Sequence, residues 1–213
     1  MQLRVGLAEL ALHGEDRALV RPDLGLFGVF DGLGGEGNGA EAAEAAVRAL
    51  ERSCSQATPG MAALITAITD AHNAVLATRH HNGYTTAVVA WIHGEVMDWV
   101  SLGDSRIYAQ KPGEPLRMLS RDEGRGNVVD NYLGERYRWQ GVCQKITMAV
   151  EPGMRVLLVS DGITGDWPPE FLTIAELMAA MVGRDAQTAA AQLVEVAKKQ
   201  DDRTAIVIDC VSA

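Results

Sequence analysis

The apolar positions of this chain fall into runs of two kinds. Residues 26–30, LFGVF, are apolar throughout and predict a strand buried on both faces that ends at Asp31. Residues 3–10 alternate loosely and residues 17–20, RALV, form a shorter strand. Two helical stretches follow, at 40–52 and 61–78, the second announced by Thr58-Pro59, a cap residue with proline at the first helical position. The pattern then turns to strands. TTAVVAWIHGEVMDWVSLGDSRIYAQ is rich in Thr, Val, Ile and Trp, with Gly94 as a hairpin signal and Pro112-Gly113 as another turn. Further strands are predicted at 143–149 and 155–160, separated by the turn EPGM. Thr173 with Glu176 makes a capping box for a helix running to Met181, Asp185 caps another over 186–199, and TAIVIDCV closes the pattern as a buried strand.

Strands that cluster and helices that come in pairs indicate a layered α+β architecture rather than a parallel doubly wound sheet. No repeat, low-complexity tract or linker divides the 213 residues, so the chain reads as a single domain over 1–213. The formal charge of -9 argues against a nucleic-acid or anionic-membrane partner, both of which need a basic surface. Cys54, Cys143 and Cys210 lie far apart and odd in number, which predicts buried free thiols. With no basic leader before an apolar segment and no stretch long enough to span a membrane, the expected location is a reducing cytoplasm.

The glycines at 32, 34 and 37 fit the G-x-G-x-x-G spacing of a dinucleotide-binding turn. That fold also demands a second strand ending in an acid about twenty residues on. Here ERSCSQATPGMAAL follows instead, a turn and another helix. Asp31 would also stand beside the pyrophosphate with the wrong sign of charge. Reversing the sign resolves the conflict, because an acid at the end of a buried strand, followed by a glycine carbonyl, suits a hard divalent cation. Taken alone, the stretch is better read as a tight strand-to-helix turn whose acid helps the following helix. The other acids weigh against that: Asp104 follows VSLG, Asp161 follows VLLVS, Asp201-Asp202 precede the last strand, and Glu15 and Asp16 open RALV. Carboxylates gathered at strand ends repel one another unless cations neutralise them. Oxygen-only ligation favours Mg²⁺ or Mn²⁺ over zinc.

FGVFDGLGG, SLGDSRIY, LLVSDGIT and DDRTAIVI, in that order, with GEDRALV before them, resemble the motifs of the metal-dependent protein phosphatases of the PPM (type 2C) family across nearly the whole chain. NGYTTAVVAWI is similar to a core strand of the same family. The resemblance implies a four-layer α-β-β-α sandwich with two central antiparallel sheets. It also implies a binuclear Mn²⁺/Mg²⁺ centre between the sheets and hydrolysis of phosphoserine or phosphothreonine in proteins, with a Ser/Thr kinase or its targets as substrates. Carried over, Asp31 bridges two metals, Gly32 gives its carbonyl to one, Asp161 and Asp201 complete the other shell, and Glu15 and Asp16 act through bound waters. Asp104 with Asp161 holds a third, weaker ion. Asp31, Asp161 and Asp16 are the residues expected to carry catalysis, in which paired cations activate a bridging water for in-line attack on phosphorus.

The chain departs from the family pattern at several points. Ala11 stands where an arginine commonly grips phosphate, so either another basic residue such as Arg17 or Arg4 substitutes or phosphate capture is weakened. Leu33 replaces a histidine common in eukaryotic members, and the acid expected four residues after Asp161 is Gly165, with Asp166 next to it. The flap is shortened to RGNVVDNYLGERYRWQG, which implies an open groove or a substrate delivered by a partner. His80-His81 reads as a solvated helix end, and Trp91 and Trp99 as core. An active phosphatase is the first reading, and a catalytically impaired PPM-like regulatory or binding module the second.

Overall fold

A computed structural model describes residues 1–34, 38–79, 82–125, 128–136, 141 and 143–212. Among these the chain order is β1 (Gln2–Leu10), β2 (Arg17–Arg21), β3 (Leu26–Phe30), β4 (Gly32–Leu33), α1 (Asn38–Ser55), α2 (Met61–Leu76), β5 (Tyr84–Thr85), β6 (Ala87–His93), β7 (Val96–Leu102), β8 (Arg106–Gln110), β9 (Arg117–Met118), β10 (Gly124–Arg125), β11 (Val128–Val129), β12 (Gln144–Ala149), β13 (Arg155–Val159), α3 (Asp161–Thr164), α4 (Ile174–Met181), α5 (Ala186–Val196) and β14 (Arg203–Val211). Two five-stranded sheets dominate, in the orders β1-β14-β13-β8-β9 and β12-β7-β6-β3-β2. Every ladder in them is antiparallel.

The central strands are apolar on both faces because each sheet is covered on both. In β3, Phe27 and Val29 point into the seam between the sheets, whereas Leu26 and Phe30 pack under α1 and α2. In β13, Val156 and Leu158 face the seam while Leu157 and Val159 pack under α4 and α5. The same alternation sends Trp99 into the seam and Trp91 to the helical side, both buried, with Trp91 Nε1 donating to the Leu24 carbonyl at 3.0 Å. Three apolar cores thus separate four layers, the expected α-β-β-α sandwich. All three cysteines are free and buried.

Two local expectations need correction. The helix α2 starts at Met61 on a Gly60 N-cap with no side-chain cap, so Pro59 lies in the preceding turn and not at the first helical position. The helix α5 ends at Val196, not at 199, because Arg203 of the next strand donates to the carbonyls of Val194 and Lys199 and draws the chain out of the helix. EPGM forms its turn as expected, with Met154 N donating to Glu151 O and Gly153 at φ 89. It carries the chain from β12 in one sheet to β13 in the other. The Thr173–Glu176 capping box and the Asp185 cap form as expected. His80-His81 lies outside the described residues.

Candidate metal centre

The strand-end acids meet at one end of the sandwich. Carboxylate oxygens of Asp31, Asp104 and Asp161 lie within 4.8 Å of one another. They line a cleft of about 460 Å³ together with Glu15, Gly32, Glu170, Lys199, Asp201 and Asp202. Asp31 and Asp161 come from β3 in one sheet and from the end of β13 in the other, so the seam between the sheets brings them together.

Hydroxyl groups fix the backbone around these acids. Thr86 accepts from the Asp31 N–H at 3.0 Å, and the Asp31 carbonyl accepts from the Thr85 hydroxyl at 3.0 Å and the Thr86 N–H at 2.9 Å. Thr86 in turn contacts the Ser105 hydroxyl at 2.9 Å, which links the Asp31 turn to the Asp104 loop. Ser160 accepts from Thr204 N at 3.0 Å, tying Asp161 to the start of β14. Thr204 also donates to Asp16 Oδ2 at 2.8 Å. These hydroxyls carry no metal-ligand signal in sequence, although the paired Thr85-Thr86 before an apolar strand could have marked a clamp.

Two glycines allow the backbones to close. A Cβ on Gly32 would lie 2.4 Å from the Gly39 carbonyl, so the first turn of α1 packs directly on the residue after Asp31. A Cβ on Gly162 would sit 1.8 Å from the Asp202 carbonyl, which holds the Asp161 turn against the Asp201-Asp202 segment.

The electrostatics divide the acids into two groups. Asp202 is a structural anchor: Oδ1 accepts from the N–H groups of Leu12, His13 and Gly14 at 2.6, 2.6 and 3.1 Å, and Oδ2 from Glu15 and Asp16 at 2.5 and 3.2 Å. Burial acts to raise its pKa, but these N–H donors outweigh it and hold the carboxyl down at about 2. The others go the opposite way. Burial, then the charges of Asp161 and Asp166, push Asp104 up to about 7. Burial pushes Asp16 up to about 7, with Asp202 and Asp161 adding to it against hydrogen bonds from Ser160 and Thr204. Asp31 is raised well above the usual carboxylate range by desolvation, then by Asp16, Asp161, Asp104 and Asp201. Asp161 is raised by burial despite its contact with Lys199.

Glu15 Oε1, Asp16 Oδ1, Asp104 Oδ1 and Asp161 Oδ1 are buried acceptors with no hydrogen-bond partner. Converging carboxylates with orphaned oxygens lack only positive charge and electron-pair acceptors, both of which a hard divalent cation provides. The cluster therefore fits metal binding. Asp201 stands apart from the tight trio, partly exposed, with Oδ2 3.1 Å from Lys199 Nζ and Oδ1 4.0 Å from His13 Nε2.

Neither Arg17 nor Arg4, the substitutes expected for the missing phosphate-gripping arginine, points into the cleft, and the surroundings of each explain why. Arg17 is turned back on its own loop, donating to the carbonyls of Gly14 and Asp16 at 2.9 and 2.7 Å and to Glu44 at 3.1 Å. Arg4 lines a separate cleft beside Asp209 and Val211. The basic residue that does line the acidic cleft is Lys199, which sequence reasoning missed. Its ammonium contacts Asp161 and lies 3.1 Å from Asp166 Oδ2, so Asp166 joins the cluster although it is displaced by one residue from the family position. In the segment expected to form the flap, Leu133 is fully buried, bridges to Thr85, and its neighbour Gly134 donates to His72 Nδ1 at 3.2 Å. This part of the flap is thus packed onto α2 and β5, while residues 126–127, 137–140 and 142 lie outside the described residues.

Comparison with known proteins agrees with this geometry. The family model described as Protein phosphatase 2C matches residues 13–197. The chain therefore belongs to the protein phosphatase 2C family. A search of curated proteins gave no match. Among solved structures, the serine/threonine phosphatase PstP/Ppp of Mycobacterium tuberculosis superposes with a TM-score of 0.85 at 21% identity, covering 100% of both chains. The catalytic domain of PstP in complex with two manganese ions gives 0.84 at 22% identity over 99% of each chain. The PPM Ser-Thr phosphatase MsPP from Mycobacterium smegmatis, in complex with cacodylate, gives 0.79 at 22% identity over 97% of this chain and 98% of that one. At these identities the likeness establishes a shared fold. Among the described residues no helix is long and apolar enough to cross a membrane.

Proposed function

We propose that this chain is a metal-dependent phosphatase that hydrolyses phosphoserine and phosphothreonine in proteins, acting in the cytoplasm on a Ser/Thr kinase or its targets. The observation that carries this reading is the convergence of Asp31, Asp104 and Asp161 at the mouth of a cleft, with buried carboxylate oxygens that no donor satisfies. Asp31, the Gly32 carbonyl, Asp161 and Asp201 would hold two Mn²⁺ or Mg²⁺ ions, with Glu15 and Asp16 positioned behind them and Asp104 beside Asp161 for a third. Such ions supply Lewis-acid activation of water and neutralise charge on the phosphoryl oxygens. The protein's own share of the work is positional. Thr85, Thr86 and Ser105 fix Asp31 and the Asp104 loop, and Asp202 gathers residues 12–16, which sets Glu15 in the lining of the cleft and Asp16 against Thr204. The relatives described as serine/threonine phosphatases, one holding two manganese ions, support the choice of reaction and cofactor.

The test is hydrolysis of p-nitrophenyl phosphate and of a phosphothreonine peptide with Mn²⁺, with Mg²⁺ and with EDTA. Turnover of the peptide that Mn²⁺ or Mg²⁺ restores and EDTA removes is the expected result. The absence of metal-dependent turnover in folded protein would instead favour a second reading, a catalytically impaired regulatory module. Ala11 at the phosphate-gripping position and the ion-paired state of Lys199 favour that alternative.

A further inference from the structure

Lys199 occupies a place in the acidic cleft that neither its sequence neighbours nor the family motifs explain. The two lysines that follow α5 point to different surroundings. Lys198 pairs with Glu176 of α4 at 2.8 Å on the surface. The Lys199 carbonyl accepts from Arg203 Nε and Nη2 at 3.2 and 2.7 Å, which pins the backbone where the helix has ended. Its side chain, 12% exposed, then reaches into the cleft. There Nζ contacts Asp161 Oδ2 and lies 3.1 Å from both Asp166 Oδ2 and Asp201 Oδ2.

An ammonium among three carboxylates performs the neutralising part of a cation's task with one charge and three donors. A divalent ion performs it with two charges and takes the oxygen lone pairs directly. Asp161 belongs to both arrangements, since it is a member of the trio with Asp31 and Asp104 and also the acid that Lys199 contacts most closely. Asp161 gives Oδ2 to Lys199 while its Oδ1 has no donor, so a single carboxylate charge is divided between the two cations. We propose that Lys199 is a tethered counter-ion that competes with a divalent cation for the Asp161–Asp201 side of the cluster, so that this chain takes up metal only by displacing its own ammonium. This inference rests on the metal-centre reading and adds to it a residue that sets metal affinity.

The experiment is calorimetric titration of Mn²⁺ into metal-stripped wild type, Lys199→Met and Lys199→Gln, with thermal melting of each protein with and without Mn²⁺. Removing a charge that must otherwise be displaced should tighten at least one Mn²⁺ site by about tenfold or more. The metal-free variants should melt below wild type, because three carboxylates lose their counter-ion, and the deficit should close at saturating Mn²⁺. Equal or weaker Mn²⁺ affinity in both variants, or a melting deficit that persists unchanged with Mn²⁺, would overturn the proposal and leave the metal centre standing. If none of the three proteins takes up Mn²⁺, both the proposal and the metal-centre reading fail together.

Discussion

The two ends of the sandwich use the same residue types in opposite ways. At the end where Gln2 pairs with Val211, Arg155 and Asp209 close on each other through two hydrogen bonds of 2.6 and 2.8 Å, and Arg155 also donates to the carbonyls of Met181 at the end of α4 and of Arg184 after it. At the other end Asp31, Asp104 and Asp161 crowd together, one buried oxygen each of Asp104 and Asp161 has no donor, and among the described residues Lys199 is the basic side chain lining the cleft. One end is satisfied and stabilises the fold. The other holds unbalanced negative charge, which costs stability in the metal-free protein and creates affinity for cations.

That contrast can be broken at either end. The largest effect is expected from Asp31→Asn, which should lower metal-dependent phosphatase turnover by at least about 10³-fold, the equivalent of several kcal/mol of charge stabilisation, while the protein remains folded by circular dichroism. Turnover within tenfold of wild type would show that Asp31 does not serve the chemistry. Arg155→Ala should do the reverse, removing about 3 kcal/mol of stability by stranding Asp209, measured by urea unfolding, with turnover at 25 °C unchanged. An unaltered urea midpoint would mean that the pair is not a stabilising element.

A finer test separates the two ends by pH. Asp104 is pushed up to about 7 from 3.8, so it contributes stability fully below pH 3.8 and loses that contribution as pH rises through about 7. In metal-free protein, Asp104→Asn should therefore raise the melting temperature by about 3–6 °C at pH 8 and by much less at pH 4. A shift of equal size at both pH values would contradict the charge-crowding account. The smallest effect belongs to Thr173→Ala, which deletes the capping box of α4 and should cost about 1 kcal/mol in the same unfolding assay without altering turnover.

Much of the layer structure was legible because a strand covered on both faces is written as an unbroken apolar run, as in LFGVF and in the AIVI of the last strand. Sheet membership was not, since EPGM gives the same local turn whether the chain folds back beside itself or crosses to the other sheet. Asp31, Asp104 and Asp161 were legible as acids at strand ends, where the seam collects them. Asp202 carries the same signature, but its carboxylate is consumed by the backbone of residues 12–16. That distinction depends on which N–H groups arrive from nearly two hundred residues away. The end of α5 escaped for a similar reason: the apolar spacing runs on to 199, and the group that stops the helix is Arg203, in the next strand. On a helix that ran to 199, Lys199 would be one more solvated residue.

The pairing of Gln2 with Val211 places the beginning of β1 and the end of β14 side by side, at the opposite end from the acidic cleft. In a polypeptide made of these 213 residues alone, a short peptide would splice those neighbours into a closed ring. New termini could then be cut at the exposed Pro112-Gly113 turn, which lies on that same distant rim. Such a rewired chain would retain every carboxylate in its present position, because the order in which the strands are joined there has no bearing on where they converge.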